Sequence, residues 1–197
     1  MNRAVLTVAG LLAAGAAIYL YMRQAGDDGG EGATAGDDAA DFLTDGAETM
    51  NSLISNWPIG SGPYQDTIAS AADAAGVPVE ILAWLLWKES RYNPKIISGE
   101  IRSRVGALGI AQFMPATAAQ ELGSAGLALD PSIAIPGAAR YLAKLRNQVN
   151  TWAEALAAYN WGIGNVRRKG LDLAPAETKD YYTVILAKAN AGGSAYA

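Results

Sequence analysis

The sequence predicts an all-α domain carried behind an N-terminal transmembrane helix and an acidic linker. Three observations support this. Forty of the 197 residues are alanine, which buries little surface and favours helix. Apolar residues in the second half recur at three- and four-residue spacing, the period of a helix face, and no run alternates with the period of two that a half-buried strand needs. Nineteen uncharged residues near the N-terminus precede a stretch of acids without a base. The length allows one domain with a substantial core, and no internal repeat is present.

The first element, residues 1–23, reads as a membrane anchor. Ala4 to Met22 carries no charge, and at helical rise spans ~28 Å, about the thickness of a bilayer's hydrocarbon core. Tyr19 and Tyr21 suit an interfacial aromatic belt. The amino terminus and Arg3 before it, against Arg23 followed by acids, favour an inside N-terminus. A cleaved signal peptide is the competing reading, with Ala14-Gly15-Ala16 as the small-residue site. It would leave a short apolar region before the cut and strand Ile18-Tyr19-Leu20-Tyr21 in the mature chain, so an uncleaved anchor is preferred. A buried helix of a soluble domain fits poorly, because the acidic stretch follows directly. Both main readings put the rest of the chain on the far, periplasmic or exoplasmic side, or tie it to a virion membrane.

Residues 24–56 read as a linker of Gly, Ala and Asp with eight acids and no base. Such a segment cannot bury enough surface to offset its ordering entropy. As a coil it spans ~30 Å, with room for a short amphipathic helix near 47–55. The acidity of the chain belongs to this segment, since residues 1–23 carry two bases and residues 57–197 carry 13 bases and 11 acids. The near-neutral balance of the domain does not look like the footprint of a nucleic-acid binder, which needs a clearly basic face.

Trp57-Pro58 opens the domain, residues 57–197. Tyr64–Ala75 carries an apolar stripe that ends at Gly76. Pro78 suits the first turn of a second helix; this bears Ile81, Leu82, Leu85 and Leu86 and runs to about Arg91, with Asn93-Pro94 stopping it. Residues 95–114 read as loop. Pro115 opens a short helix ending near Gly123. Asp130-Pro131 is a cap and first-turn proline for a helix to about Val149, where Pro136 implies a bend or a later start. Thr151-x-x-Glu154 has capping-box spacing before Ala155–Tyr159. A last helix covers about Glu177–Ala189.

Histidine and cysteine are both absent. That excludes Ser-His-Asp and Cys-His catalysis, imidazole relays, HExxH and Cys-based zinc sites, and disulfides. Acid–base chemistry near neutral pH falls to carboxylates, with Lys and Tyr behind them. One carboxylate sits on the wrong face. Glu89 follows Leu85 by four residues and Leu82 by seven, so it shares their apolar stripe. There, at a helix C-terminus, the anion is disfavoured by desolvation and by the dipole, which raises the pKa as a general acid requires. The bland alternative is an acid paired with Lys88, Arg91 or a distant Arg, or one that reaches water at the helix end; placement alone leaves the two readings even.

Four motifs break that tie: Glu89-Ser90-x-Tyr92-Asn93-Pro94, Gly106-Ala107-x-Gly109-Ile110-Ala111-Gln112-Phe113-Met114-Pro115, Ala158-Tyr159-Asn160-x-Gly162-x-Gly164-x-Val166 and Glu177-Thr178-x-x-Tyr181. In this order they resemble the soluble lytic transglycosylase family, the lysozyme-like domain that cleaves peptidoglycan. The resemblance covers about 64–189 and implies an SLT-type helical fold. Each motif alone has a bland reading: turn glycines, a core tyrosine with a capping Asn, a surface amide.

The resemblance implies roles. Glu89 matches the single catalytic acid/base, which protonates the oxygen between MurNAc and GlcNAc and then takes the proton of the MurNAc 6-hydroxyl as it attacks C1, leaving a 1,6-anhydro end. Ser98 matches a serine near that hydroxyl. Gln112 and Met114 match groups lining the cleft, Tyr159 a tyrosine facing the acid, and Glu177 and Tyr181 a pair bordering the site. Asn160 joins the substrate contacts. Ser90 is expected beside the substrate or holding the local backbone or Glu89 itself. Tyr92, Phe113, Tyr159 and Trp161 are candidate aromatic faces for pyranose rings. The chain departs from the family at Ala111, where Met is common, and in a longer stretch between Glu89 and Gln112. Glu100 in that stretch is a second carboxylate if the loop folds over the cleft.

The expected partners are peptidoglycan glycan strands and, through residues 4–22, a membrane; nucleic acid is not expected, and the sequence names no protein partner. No metal or organic cofactor is implied. The anchor-linker-enzyme plan and the stretch Ser98–Ala116 resemble virion-associated enzymes with which phages open cell walls; a periplasmic enzyme or one of a conjugation or secretion system is the alternative setting. Other readings of the domain are a goose-type-like hydrolytic muramidase, a non-catalytic peptidoglycan-binding membrane protein and a purely structural membrane protein.

Overall fold

Gly76 turns left-handed (φ 65°) and returns its N–H to Ala72, ending the first helix where the sequence predicts. The structure, a computed structural model, describes residues 56–191 and 196. The expected transmembrane helix lies outside the described residues, as does the expected linker apart from Asn56. Among the described residues no helix is long and apolar enough to cross a membrane.

The described elements are all helical. After a 3-10 turn at Gly62–Tyr64 come α1 (Gln65–Ala75), α2 (Val79–Ser90), α3 (Pro94–Ile97) and α4 (Pro115–Leu122). A second 3-10 turn, Ala125–Leu129, leads to α5 (Pro131–Arg146), α6 (Trp152–Trp161), α7 (Ile163–Lys169) and α8 (Ala176–Asn190). The capping box is present: Glu154 N–H donates to Thr151 Oγ1 at 3.2 Å, and Thr151 N–H donates to Glu154 Oε2 at 3.0 Å. Asp130 caps α5 by accepting from Ser132 N–H at 2.9 Å.

Three expectations need correction. α3 stands in the stretch read as loop, because Asn93 accepts from Lys95 N–H at 3.0 Å and starts a turn at Pro94. α5 runs from Pro131 through Pro136 without a late start and ends at Arg146, short of Val149. α7 was not expected; Gly162 separates it from α6, and only Val166 on it is buried.

Five helices pack in a closed ring: α1 on α2, α2 on α8, α8 on α6, α6 on α5, and α5 back on α1. α2 is the most enclosed, with Ile81 through Leu86 all buried. Six alanines on α5 and α6 (Ala134, Ala138, Ala139, Ala155, Ala157 and Ala158) are fully buried where these helices pack into the core. Their small side chains let helix axes approach closely, so the alanine content marks helix contacts as well as helix propensity.

Candidate active site

Leu82 and Leu85 on α2 are fully buried, and one turn further Glu89 emerges half-buried, next to last in the helix. Its Oε1 accepts a hydrogen bond from the Tyr181 hydroxyl at 2.5 Å. Burial pushes the Glu89 carboxyl up from 4.5 to about 7, against the smaller downward pulls of the Tyr181 hydrogen bond and the Lys88 charge. Among the described residues no cation pairs with it. Lys88 reaches instead to Asp180, Nζ to Oδ2 at 2.5 Å, and the Arg91 guanidinium stacks 3.5 Å over the Trp87 ring. The bland reading of Glu89 as an ion-paired acid is thereby excluded among the described residues.

Tyr181 belongs to the buried stripe Thr178, Tyr181, Ile185 and Ala189 of α8. Burial and the Glu89 charge hold its phenol well above 10, so it remains a donor. The same stripe places Thr178 one turn earlier, where its hydroxyl donates to Asn160 Oδ1 at 2.8 Å. Thus α8 ties the acid at the end of α2 to Asn160 near the end of α6. Glu177, next to Thr178, is exposed.

Tyr159 stands close enough to Glu89 for that charge, after burial, to raise its phenol well above 10. Its hydroxyl donates to the Ala111 carbonyl at 2.9 Å, not to the acid. The expected facing tyrosine therefore braces the motif loop, while Tyr181 makes the direct bond. Tyr159 also packs against Tyr141 and Phe113, with ring centroids 5.4 and 6.2 Å away.

That loop is closed by reciprocal backbone bonds between Leu108 and Phe113 at 2.9 and 3.0 Å. Gly109 has φ 71°, and a Cβ there would lie 1.7 Å from the Ala128 carbonyl oxygen, so only glycine fits. Gln112 adopts φ 46° and donates its own Nε2 to the Gly109 carbonyl at 2.8 Å. Its amide thus helps shape the loop, and its Oε1 is the atom left to offer. Met114, 45% exposed, immediately precedes α4.

Ser90 is fully buried. Its hydroxyl donates to the Leu86 carbonyl at 3.1 Å and accepts from Tyr92 N–H at 3.2 Å. The expected substrate contact is corrected here, because no face of Ser90 reaches solvent; its backbone-holding role fits. Arg91 and Tyr92 both have positive φ, 54° and 53°, a costly backbone for non-glycine residues. Tyr92, anchored by its hydroxyl to the Ala83 carbonyl at 2.8 Å, and Phe113 are nearly fully buried. Neither can stack on a sugar, which leaves the half-buried Tyr159 and Trp161.

Ser98 is exposed; its hydroxyl donates to the Lys95 carbonyl at 3.3 Å. Glu100 pairs with Lys95 at 3.2 Å, both side chains more than 60% exposed, so it does not share Glu89's buried setting. The structure thus brings together Glu89, Tyr181, Tyr159, Asn160 and the Gln112 loop, and puts Ser98 and Glu100 on an exposed edge. Asp180 is absent from the sequence reading, and neither the Thr178 bond to Asn160 nor the pairing of Lys88 with Asp180 is foreseen there. A threonine at helical spacing in an apolar stripe was a usable signal for Thr178; nothing local marks the ion pair. Among the described residues no acidic cluster could hold a metal. A cavity of about 130 Å³ lined by Asn56, Trp57, Val79, Glu80 and Ala83 contains none of the site's side chains.

Comparison with known proteins identifies relatives of this arrangement. The family model for the Transglycosylase SLT domain matches residues 66–181. Peptidoglycan transglycosylase gp16 of Escherichia phage T7 is 36% identical over 119 residues, covering 55% of this chain and 8% of the relative. Membrane-bound lytic murein transglycosylase F of Pseudomonas fluorescens is 34% identical over 100 residues, 47% of this chain and 20% of the relative. Among solved structures, the 70 kDa soluble lytic transglycosylase of Escherichia coli superposes with a TM-score of 0.57 at 28% identity, over 66% of this chain and 24% of that one. An inactive mutant of the Pseudomonas aeruginosa lytic transglycosylase Slt matches with the same TM-score and coverages at 27% identity. The chain therefore spans at most about a quarter of the length of these relatives.

Proposed function

The chain belongs to the Transglycosylase SLT domain family, and from that membership we propose that it is a membrane-anchored peptidoglycan lytic transglycosylase with Glu89 as its single acid/base. The observation that carries the reading is the Glu89 carboxyl, protonated up to near-neutral pH and held by a phenol rather than by a cation. A pKa near the working pH suits a group that must first give a proton and then take one.

Glu89 gives its proton to the oxygen joining MurNAc C1 to GlcNAc as the C1–O bond breaks. The carboxylate left behind is stabilised by the Tyr181 hydroxyl. It then removes the proton of the MurNAc 6-hydroxyl while O6 bonds to C1. The product carries a 1,6-anhydro ring, Glu89 ends protonated, and no water is consumed. An intramolecular nucleophile needs no second base, whereas hydrolytic glycosidases typically use two carboxylates. Glu100, exposed and paired with Lys95, does not supply a second. Ser98, the Gln112 carbonyl, Met114, Tyr159, Asn160 and Glu177 contact the glycan.

Residues 4–22 anchor the chain, 24–56 tether it, and the domain from 57 works across the membrane, opening the cell wall locally during phage entry. The uncharged stretch, the phage T7 relative and the membrane-bound Pseudomonas relative support this setting. The test is digestion of purified peptidoglycan by the full chain in detergent, with products identified by mass spectrometry. Anhydro-ended muropeptides that disappear in Glu89→Gln are expected. Reducing ends would overturn the lyase in favour of a hydrolase, and no products would overturn the enzyme. Protease protection of a C-terminal tag in vesicles reads the topology; a cytoplasmic domain would overturn the anchoring.

A further inference from the structure

We propose that the basic end of α7 binds the carboxylates of the peptide stems carried by the glycan strand. The inference rests on the reading above that the cleft takes peptidoglycan. Arg167, Arg168 and Lys169 form the last turn of α7 and are all exposed. The ion pairs among the described residues occupy Lys88, Lys95 and Lys144, and none of these three cations.

Two of the three are held in place. Arg168 Nη2 donates to Asn165 Oδ1 at 3.2 Å, and Asn165 Nδ2 in turn donates to the Trp161 carbonyl at 2.7 Å. Lys169 Nζ sits 5.3 Å from the centroid of the Trp161 ring. Cations at a helix C-terminus are favoured by the helix dipole, and that alone would explain basic residues here. It does not explain Arg168, which folds back along the helix to Asn165 instead of reaching its last carbonyls. Side chains restrained before binding lose less entropy when a ligand arrives.

The position relative to the acid follows from a chain of contacts. Tyr181 bonds Glu89, Thr178 one turn away (~5 Å) bonds Asn160, and Trp161 is the next residue. Lys169 rests on that tryptophan. The basic turn is therefore linked to the Asn160 side of the site by this path, at most ~15–20 Å from the acid by summed helix rise and side-chain reach. An extended peptide covers ~3.3 Å per residue, so about five residues reach ~16 Å along it. The glycan backbone offers neutral hydroxyls and amides, and the stems offer carboxylates. Arginine matches a carboxylate with two parallel donors.

The test compares peptide-bearing strands with strands stripped of stems by an N-acetylmuramoyl-L-alanine amidase, using the full chain in detergent. The expected preference for peptide-bearing strands, measured as a ratio of kcat/KM, falls about tenfold in Arg167→Gln/Arg168→Gln/Lys169→Gln. Arg167→Gln alone, at a side chain with no ion pair or hydrogen bond among the described residues, lowers it about twofold and guards against misfolding of the triple variant. Ratios unchanged in both variants would overturn the proposal. Cosedimentation of Glu89→Gln with each strand type reads the same preference without turnover. Cleavage absent with the binding preference present would sink the proposed activity and leave this inference standing. Equal binding to both strand types would sink the inference alone.

Discussion

The Tyr181 hydroxyl reaches Oε1 of Glu89 at 2.5 Å, across 92 residues of sequence. A buried phenol thus takes the place that a cation would occupy in an ordinary buried ion pair. The acid keeps a partner without being locked into its charged form, because a phenol hydrogen bond lowers a carboxyl pKa less than a nearby positive charge does.

Glu89 enters the reaction as an acid, so the rate falls as pH rises through its pKa of about 7. The Tyr181 hydrogen bond favours the carboxylate and lowers that pKa. Tyr181→Phe removes it, so the falling limb of the pH–rate profile moves to higher pH. Loss of the donor to the developing carboxylate also slows turnover at pH 6 by about tenfold or more. A limb that stays in place would show that Tyr181 is only packing.

The raised acid also bears on stability. Below 4.5, the ordinary value, the folded and unfolded chains both hold the proton. Between 4.5 and about 7 the unfolded chain loses it first, so folding stability drops as pH rises through this window. Above it the full penalty persists, at most about 3 kcal/mol. Glu89→Gln should therefore raise the melting temperature at pH 8 by about 5 °C and leave it nearly unchanged at pH 4. Thermal unfolding of both proteins across pH measures this; a gain independent of pH would contradict it.

Lys88 and Asp180 should move the same pH limb in opposite directions. Lys88 pulls the Glu89 pKa down, and Asp180 holds the ammonium with Nζ at 2.5 Å. Lys88→Met raises the limb, whereas Asp180→Asn leaves the cation uncompensated beside the acid and lowers it. Asp180 is 63% exposed, so screening limits each shift to about half a pH unit. Shifts of the same sign would mean that the pair acts only by holding α2 to α8.

The two glycines flanking the motif loop should differ. Gly109→Ala drives a Cβ to 1.7 Å from the Ala128 carbonyl oxygen, whereas at Gly106 (φ 83°) a Cβ meets nothing within 4 Å. Gly106→Ala carries the left-handed backbone strain alone, about 1 kcal/mol. Gly109→Ala adds a backbone collision and should cost about 4 kcal/mol or more. Denaturant unfolding of the two variants makes the comparison, and equal midpoints would contradict it.

What could be read in the chain was what local rules encode. Gly76, Asp130 and the Thr151–Glu154 box mark helix ends through backbone chemistry within four residues, and each is where expected. Glu89 was visible because helical period alone put it among leucines. The contacts that define its chemistry were not, since Tyr181, Asp180 and Tyr159 meet their partners across 92, 92 and 48 residues. The substrate contacts expected of Ser90, Tyr92 and Phe113 fail for a related reason, while the backbone-holding role expected of Ser90 fits. Motif position does not reveal which side of a left-handed turn faces solvent, and the positive φ of Arg91, Tyr92 and Gln112 has no glycine to announce it.

The hydrogen bonds of Ser90 and Tyr92, just after Glu89, return to their own helix, while the Tyr92 ring also stacks on Tyr64 at 5.8 Å. Tyr92 bonds the Ala83 carbonyl, and Ser90 bridges the Leu86 carbonyl to the Tyr92 N–H. The stretch from Ala83 to Tyr92 is thus a self-closing cassette that fixes the direction in which the acid leaves the helix. Grafted onto the end of another buried helix, it should keep that exit angle, where a lone glutamate would fray. A designer seeking a neutral carboxylic acid at the mouth of a helical bundle can transplant those residues together and supply one tyrosine opposite.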